Sequence, residues 1–185
     1  MKKLFKVFVL IVALLLPALV YLFLKGFGKN EFAIPIYYQE GISIEGCNKT
    51  SQSQHYVKFE SYDLEGACLF YFPQWVNDEE FYRQCSRIHD KYPGVRFTAI
   101  ADSSYTQTQT GNILRAKNDD QLYQLANCAL ILGQDHSISK PLYNQLVLVD
   151  KKKRIRGYYN GNELSDMDRL DIEIDILQKE KENHE

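Results

Sequence analysis

The chain has 185 residues, with 22 basic and 24 acidic side chains and a formal net charge of −2. A charge this close to neutral gives no reason to expect a nucleic-acid partner, because proteins that bind nucleic acid carry a basic footprint. The residues that follow the first hydrophobic segment are numerous enough for one domain with its own core.

Residues 7–24 form an uncharged apolar run, VFVLIVALLLPALVYLFL. As a helix this run would be about 27 Å long, close to the roughly 30 Å of a bilayer's hydrocarbon core. The alternative is a cleaved signal peptide, whose apolar region is shorter and ends in a small-residue cleavage site. Here Leu24 leads directly into Lys25 without such a site, so the sequence predicts an uncleaved transmembrane anchor.

Basic residues set the expected orientation of this anchor. Lys2, Lys3 and Lys6 precede it, whereas Lys25 and Lys29 follow it. The excess of positive charge before the anchor favours a cytoplasmic N-terminus and a periplasmic or otherwise extracytoplasmic domain. The predicted organisation is a cytoplasmic segment 1–6, an anchor 7–24, a linker 25–33 and a folded domain 34–182.

The domain opens with two kinds of β pattern. Short extended runs at Ile36–Tyr38 and His55–Phe59 predict a small β-element in front of the main fold. The continuous apolar run Ala67–Phe72 is typical of a strand that is buried on both faces.

A helix and a second strand should follow. Asn77 with Glu80 three residues later predicts a capping box at the start of the helix, which should continue to about Tyr92 and stop at Pro93. Val95–Ile100 then reads as another buried strand. The predicted core face of the helix consists of Phe81, Cys85, Ile88 and Tyr92.

In the second half, a polar loop 103–111 precedes a helix that Asn118 and Gln121 should start. The remaining predicted elements are that helix to Leu132, a strand Gln145–Asp150, a hairpin strand Arg154–Tyr159, and a last helix capped by Ser165 with Asp168. The order β-α-β, helix, β-β-α predicts an α/β fold of thioredoxin-like type, with helices covering both faces of the sheet.

Two stretches of this pattern resemble the Sco/SenC family. Leu146–Asp150 followed by Arg154–Gly161 is similar to the closing hairpin of that family. Phe70–Phe72, the helix after it and the strand that ends at Asp102 are similar to its redox-site strand, first helix and next strand. The resemblance implies a membrane-tethered, thioredoxin-like protein whose relatives bind copper and act in thiol redox steps of cytochrome oxidase copper-centre assembly. It also implies a protein partner in the cell envelope or respiratory chain.

The residues that would bind copper differ from the family pattern. The family's two cysteines fall on Trp75 and Glu79, neither of which can supply a thiolate, and its histidine falls on Leu142. His136, in Asp135-His136-Ser137, resembles the family's Asp-His-Ser wording but lies fourteen residues before Asp150. We therefore expect the fold to carry over without the copper cofactor or the redox chemistry, and we predict no catalytic residue.

The four cysteines are Cys47, Cys68, Cys85 and Cys128. In an exported domain they allow three disulfide pairings, which the sequence leaves open. Cys47, in a polar loop, is expected to be exposed and Cys128 to face the core. Cys68 and Cys85 are expected to be buried, either structural or free.

Three functions remain open. The first is a non-catalytic, membrane-tethered Sco-like protein that holds a partner. The second is a copper chaperone with a rebuilt site that draws on His136 and on Cys47, Cys85 or His89. The third is a thiol-disulfide oxidoreductase that uses Cys68 and Cys85 as a non-standard pair. Cys85 and His89 lie one helical turn apart, but an apolar core position explains Cys85 without a metal.

Overall fold

The computed structural model describes residues 2–27, 33–44, 47, 53–59, 62, 64–73, 78–102, 105, 111–132 and 143–182. The chain forms two units, Met1–Phe32 and Ala33–Glu185. The first unit contains helix α1, Lys2–Phe27, with Pro17 inside it. Among the described residues, no helix meets both the length and the apolarity needed to cross a membrane.

The second unit is built on a five-stranded sheet in the order β3-β2-β1-β4-β5. The central strand β1 is parallel to β2 and antiparallel to β4; β3 is parallel to β2, and β4 and β5 form an antiparallel hairpin. The strands are β1 Ala67–Tyr71, β2 Val95–Ala101, β3 Asn112–Arg115, β4 Gln145–Val149 and β5 Ile155–Asn160. The order and directions of β2-β1-β4-β5 confirm the predicted thioredoxin-like α/β arrangement.

Helices cover both faces of this sheet. On one face lie α2, Glu79–Lys91, and α4, Leu164–Glu182. On the other lies α3, Asp119–Tyr123, which continues as a π-helical turn Gln124–Ala129. Because side chains alternate along a strand, Leu69 and Tyr71 of β1 join the first core, while Cys68 and Phe70 join the second.

The start of α2 differs from the prediction. The cap is Asp78, whose carboxylate accepts a hydrogen bond from the Phe81 amide at 3.1 Å, and Asn77 lies outside the described residues. Glu80 accepts from Arg83 and Gln84 instead of completing a capping box. The reason is tertiary: the Asp78 carboxylate also accepts from Nδ2 of Asn144, at 2.9 Å, and this contact fixes it at the cap.

The capping prediction for the last helix is also wrong. Helix α4 begins at Leu164, so Ser165 lies inside its first turn. The entry is held by Asp166, whose carboxylate accepts from the Asn160 amide at 2.8 Å. That bond joins the helix directly to the end of β5, which a local capping pattern does not register.

Between β2 and β4 the structure adds and shortens elements. Strand β3 was not predicted, because Asn112–Arg115 contains only two apolar residues; it pairs with β2 from Thr98 to Ala101. Asn118 caps α3 as predicted, accepting from the Gln121 amide at 2.9 Å. The helical stretch ends at Ala129, short of the predicted Leu132.

The predicted β-element before β1 is wrong. Residues 36–38 and 55–59 form no strand. They instead run beside the β4–β5 hairpin, where the amide of Tyr37 donates to the Ile155 carbonyl and the amide of Val57 donates to the Lys153 carbonyl. Isolated bonds of this kind satisfy the backbone without forming a strand ladder.

A buried arginine ties three parts of the domain together. Arg156 on β5 is only 2% exposed. Its guanidinium donates to the backbone carbonyls of Ile34 and Pro35, to the Asp150 carboxylate at 3.1 Å and to Glu180 at 2.8 Å. We call Arg156, Asp150 and Glu180 the arginine clamp. It joins the entry of the domain and the end of α4 to the sheet.

The clamp makes stability depend on pH. Burial alone would raise the pKa of Asp150, but bonds from Arg154, its charge and a bond from Arg156 outweigh burial and lower that pKa. The stabilising contribution is therefore present above the unfolded value of about 3.9 and is lost as pH falls through the folded value. Urea unfolding from pH 6 to pH 2 should show this loss for the native protein, and Asp150→Asn should flatten it. If the stability of Asp150→Asn fell as steeply with falling pH as that of the native protein, Asp150 would not be the source of the loss. The control is Asp168→Asn, which changes an exposed ion pair.

Candidate functional site

Of the two positions to which the resemblance assigns the family's cysteines, one, Glu79, lies at the start of α2. Glu79 is the first residue of the helix and is exposed. Trp75, His136 and Leu142 lie outside the described residues. The position is therefore defined by Glu79 and by the residues that hold the helix N-terminus.

Those residues form a hydrogen-bonded unit, which we call the asparagine clasp: Asp78, Asn144 and Asn162. Nδ2 of the buried Asn144 donates to Asp78 at 2.9 Å and to Oδ1 of Asn162 at 2.7 Å. Asn144 has a positive φ of 60°, which asparagine tolerates better than most residues. The clasp connects α2, the start of β4 and the turn after β5.

This region is polar and, among the described residues that line its cavity, carries no thiol; the sulfur it does contain is the thioether of Met167. Beside the clasp is a cavity of about 210 Å³, lined by Asp78, Glu80, Phe81, Gln84, Gly161, Asn162, Leu164 and Met167. Among the described residues, this lining contains neither cysteine nor histidine. Carboxylates and amides suit hydrogen bonding and hard cations, whereas copper in its reduced form prefers soft thiolate and thioether ligands.

The two free cysteines lie on opposite sides of the sheet. Cys68 points into the core beneath α3, and Cys85 packs in the core beneath α2 and α4. Burial raises the pKa of the Cys85 thiol to about 12, and the charge of Asp78 adds to the effect. Burial also raises the pKa of Cys68, partly offset by Arg96. The expectation of buried cysteines is confirmed, and the proposed Cys68–Cys85 redox pair is wrong because the sheet separates them.

The metal candidates that the structure describes on α2, Cys85 and His89, form no site together. Cys85 is fully buried, while the His89 side chain is 41% exposed, with Nδ1 3.4 Å from the Asp90 carboxylate. The His89 ring lies edge-on against Phe97, with 5.3 Å between ring centroids. Within the described ranges, no group of three or more histidine, cysteine or carboxylate side chains could hold a metal ion.

Cys47 and Cys128 form a disulfide, with their Cα atoms 5.6 Å apart and a separation of 81 positions in sequence. The sequence left this pairing open. Both residues are half-buried, so the expectation that Cys47 is an exposed thiol is wrong. A sulfur bonded to another sulfur is not a thiolate, so Cys47 cannot serve as a metal ligand in this state.

The disulfide lies in the wall of a groove of about 800 Å³ that the sequence analysis missed. One wall comes from Ile42, Ile44, Cys47 and residues within 53–59, and the other comes from Leu114, α3 and the π-helical turn, which lie far away in the chain. The only signal in the sequence was the possible pairing of Cys47 with Cys128. We call this feature the disulfide groove.

His55 links the two walls of the disulfide groove. Its Nε2 lies 2.8 Å from the Ala129 carbonyl. Since a carbonyl oxygen only accepts, Nε2 carries the proton and Nδ1 is the basic nitrogen. Burial lowers the pKa of His55, partly offset by this bond, so the ring is neutral at pH 7.

Comparison with known proteins finds similar solved structures but no similar sequence. No protein-family model matches the chain, and no match in sequence was found among curated proteins. Among solved structures the chain is similar to a SCO1/SenC family lipoprotein from Bacillus anthracis, with 9% identity and a TM-score of 0.46 over 61% of this chain and 82% of that one. It is also similar to BsSco, described as a member of the Sco family of cytochrome c oxidase assembly proteins, with 12% identity and a TM-score of 0.43 over 60% and 78% of the two chains.

The class of the protein follows from its own topology. The strand order, the strand directions and the helices on both faces make the Ala33–Glu185 unit a thioredoxin-like α/β domain. Its distinguishing features are the asparagine clasp at the start of α2 and the disulfide groove beside α3.

Proposed function

We propose that this chain is a membrane-tethered, extracytoplasmic, Sco-like protein that holds a protein partner in the cell envelope or respiratory chain. On this proposal the start of α2 performs neither copper nor thiol chemistry. The main observation in favour of this proposal is the identity of the residues at the start of α2. Glu79 stands where the resemblance places a cysteine, and the adjoining Asp78 accepts hydrogen bonds from Phe81 and Asn144. A polar surface without a thiol suits binding better than thiol or copper chemistry.

Two further observations support the location. A disulfide such as Cys47–Cys128 persists in oxidising compartments outside the cytoplasm. The uncharged run 7–24 and the lysines before it favour a tether with its N-terminus in the cytoplasm. Both features are consistent with a domain that works at the outer side of a membrane.

Extraction from membranes tests the tether. Full-length protein should resist extraction from membranes by alkaline carbonate and should need detergent. Release by carbonate would contradict the tether.

Copper binding tests the chemical part of the proposal. In detergent, the full-length protein should take no copper(I) from a chelator of known affinity, because the described residues supply no cluster of soft ligands. Tight one-to-one binding would overturn the proposal, and His136→Ala would then show whether the rebuilt site of the second hypothesis exists.

Site-specific photo-crosslinking tests the partner. A photoreactive residue in place of the exposed Glu79 should give a discrete adduct of higher mass in intact cells. The matched control is the same residue in place of Ile172, an apolar side chain on α4 that is 62% exposed. An adduct specific to position 79 is expected. Equal adducts at both positions, or none at position 79, would contradict a binding role for the start of α2.

A further inference from the structure

The disulfide groove combines a sulfur–sulfur bond with an apolar binding surface. Cys47 and Cys128 both line it. Most of the hydrophobic lining comes from Ile42, Ile44, Phe59, Leu114 and Leu125. Ligand sites typically have volumes of about 300–1,000 Å³ and a mainly apolar lining with a few polar groups, and the groove's volume of about 800 Å³ lies within that range.

The walls of the groove are held by contacts that do not involve the disulfide. The side-chain amide of Gln54 donates to the Tyr37 carbonyl at 3.1 Å. The backbone amide of His55 donates to the Tyr38 carbonyl at 3.1 Å. The His55 ring binds the Ala129 carbonyl, and the Val57 amide binds the Lys153 carbonyl at 2.8 Å. Reduction of Cys47–Cys128 would therefore leave the groove in place, with two thiols in its wall.

The backbone around Cys128 is irregular. Cys128 lies in the π-helical turn, where the Leu130 amide donates to the Leu125 carbonyl five residues earlier. Three residues after Cys128, Ile131 has a φ of 55°, an outlier for a β-branched side chain. Wide helical turns and strained φ values occur preferentially at functional sites. The unusual geometry thus lies next to one of the two sulfur atoms.

We propose that the Cys47–Cys128 disulfide exchanges with a dithiol on an apolar-flanked segment of another extracytoplasmic protein, which the disulfide groove binds. One thiolate of the partner attacks one of the two sulfur atoms, the Cys47–Cys128 bond breaks, and the other sulfur leaves as a thiolate. The partner's second thiolate then attacks the mixed disulfide and releases the first sulfur. Two electrons and two protons pass to Cys47 and Cys128, and the partner gains a disulfide.

This activity is separate from the start of α2, because none of the residues that line the groove belongs to α2. It also avoids Cys68 and Cys85, which are buried in the cores. These two cysteines therefore serve as an internal check that the protein stays folded. Copper binding and dithiol exchange can succeed or fail independently.

The test uses oxidised full-length protein in detergent and two synthetic peptides. Each peptide has two cysteines separated by two residues; one is flanked by leucine and phenylalanine, the other by serine and glutamine. At intervals a large excess of maleimide is added at neutral pH, which labels the accessible thiols of the folded protein, and the labelled cysteines are located by mass spectrometry. Label should appear at Cys47 and Cys128 but not at Cys68 or Cys85. The apolar-flanked peptide should react about tenfold faster, as expected from burial of one apolar side chain.

A pair of variants separates groove recognition from general effects on stability. Ile44→Ser changes the groove, and Ile176→Ser changes a similarly half-buried residue against the opposite core. The first should lose the preference for the apolar-flanked peptide, and the second should keep it. Equal rates for both peptides, or an unchanged preference in Ile44→Ser, would overturn recognition by the groove. Label that reaches Cys68 and Cys85 at the same rate would show reduction through unfolding, and the disulfide would then be structural only.

Discussion

Replacing Arg156 with methionine should lower the free energy of unfolding by about 3–5 kcal/mol. Methionine keeps much of the apolar stem but removes the charge that Asp150 and Glu180 share. Asp150 keeps its ion pair with Arg154, but the partly buried Glu180 carboxylate loses its charged partner, and loss of one partner of a buried pair costs about 3–5 kcal/mol. The carbonyls of Ile34 and Pro35 also lose their donor. Urea unfolding followed by circular dichroism measures the effect.

The matched control for the clamp is Arg83→Met. Arg83 makes an ion pair with Glu80, but both side chains are more than 60% exposed, so its loss should change stability little. If Arg156→Met and Arg83→Met unfolded at the same urea concentration, the clamp would contribute no more than a surface ion pair. A large effect of Arg156→Met alone would show that the entry of the domain is held through β5.

Much of the fold follows from the sequence because the signals are local. The apolar run of β1 and the alternation of the β4–β5 hairpin require no knowledge of distant residues. The cap at Asn118 was correct for the same reason, since its bond to Gln121 lies within one turn. By contrast, the cap of α2 depends on Asn144, whose amide reaches Asp78 from the start of β4.

The candidate sites depend on distant contacts and were therefore harder to predict. The absence of a cysteine at position 79 was plain from the sequence, but the asparagine clasp required the fold to bring Asp78 and Asn162 to the same side chain. The disulfide groove joins segments separated by 81 positions, and four cysteines alone allow three pairings. Only the folded structure shows that Cys47 pairs with Cys128.

Removing the disulfide with Cys47→Ser and Cys128→Ala together should lower the free energy of unfolding by about 4 kcal/mol. The bond closes a loop of 81 positions, and restricting so long a loop in the unfolded chain accounts for an effect of this size on the chain-entropy relation. The native contacts should change little, because the His55 ring still joins the two walls through the Ala129 carbonyl, and Gln54 and Val57 bond to Tyr37 and Lys153 outside the groove. Urea unfolding with and without a reductant gives the measurement.

The response to reductant distinguishes the bond from the side chains. Reductant should destabilise the native protein by the same amount as the double substitution and should leave the double variant unchanged. The control pair Cys68→Ala and Cys85→Ala keeps the disulfide, so its unfolding should remain sensitive to reductant. If the native protein unfolded identically with and without reductant, the bond would not constrain the unfolded chain.

A disulfide that contributes to stability mainly through the unfolded state, while its surroundings stay ordered when it is reduced, is compatible with exchange in the folded protein. By thermodynamic linkage, a disulfide that stabilises the fold is harder to reduce in the folded protein by the same free energy, so the exchange requires a partner dithiol that is a correspondingly stronger reductant.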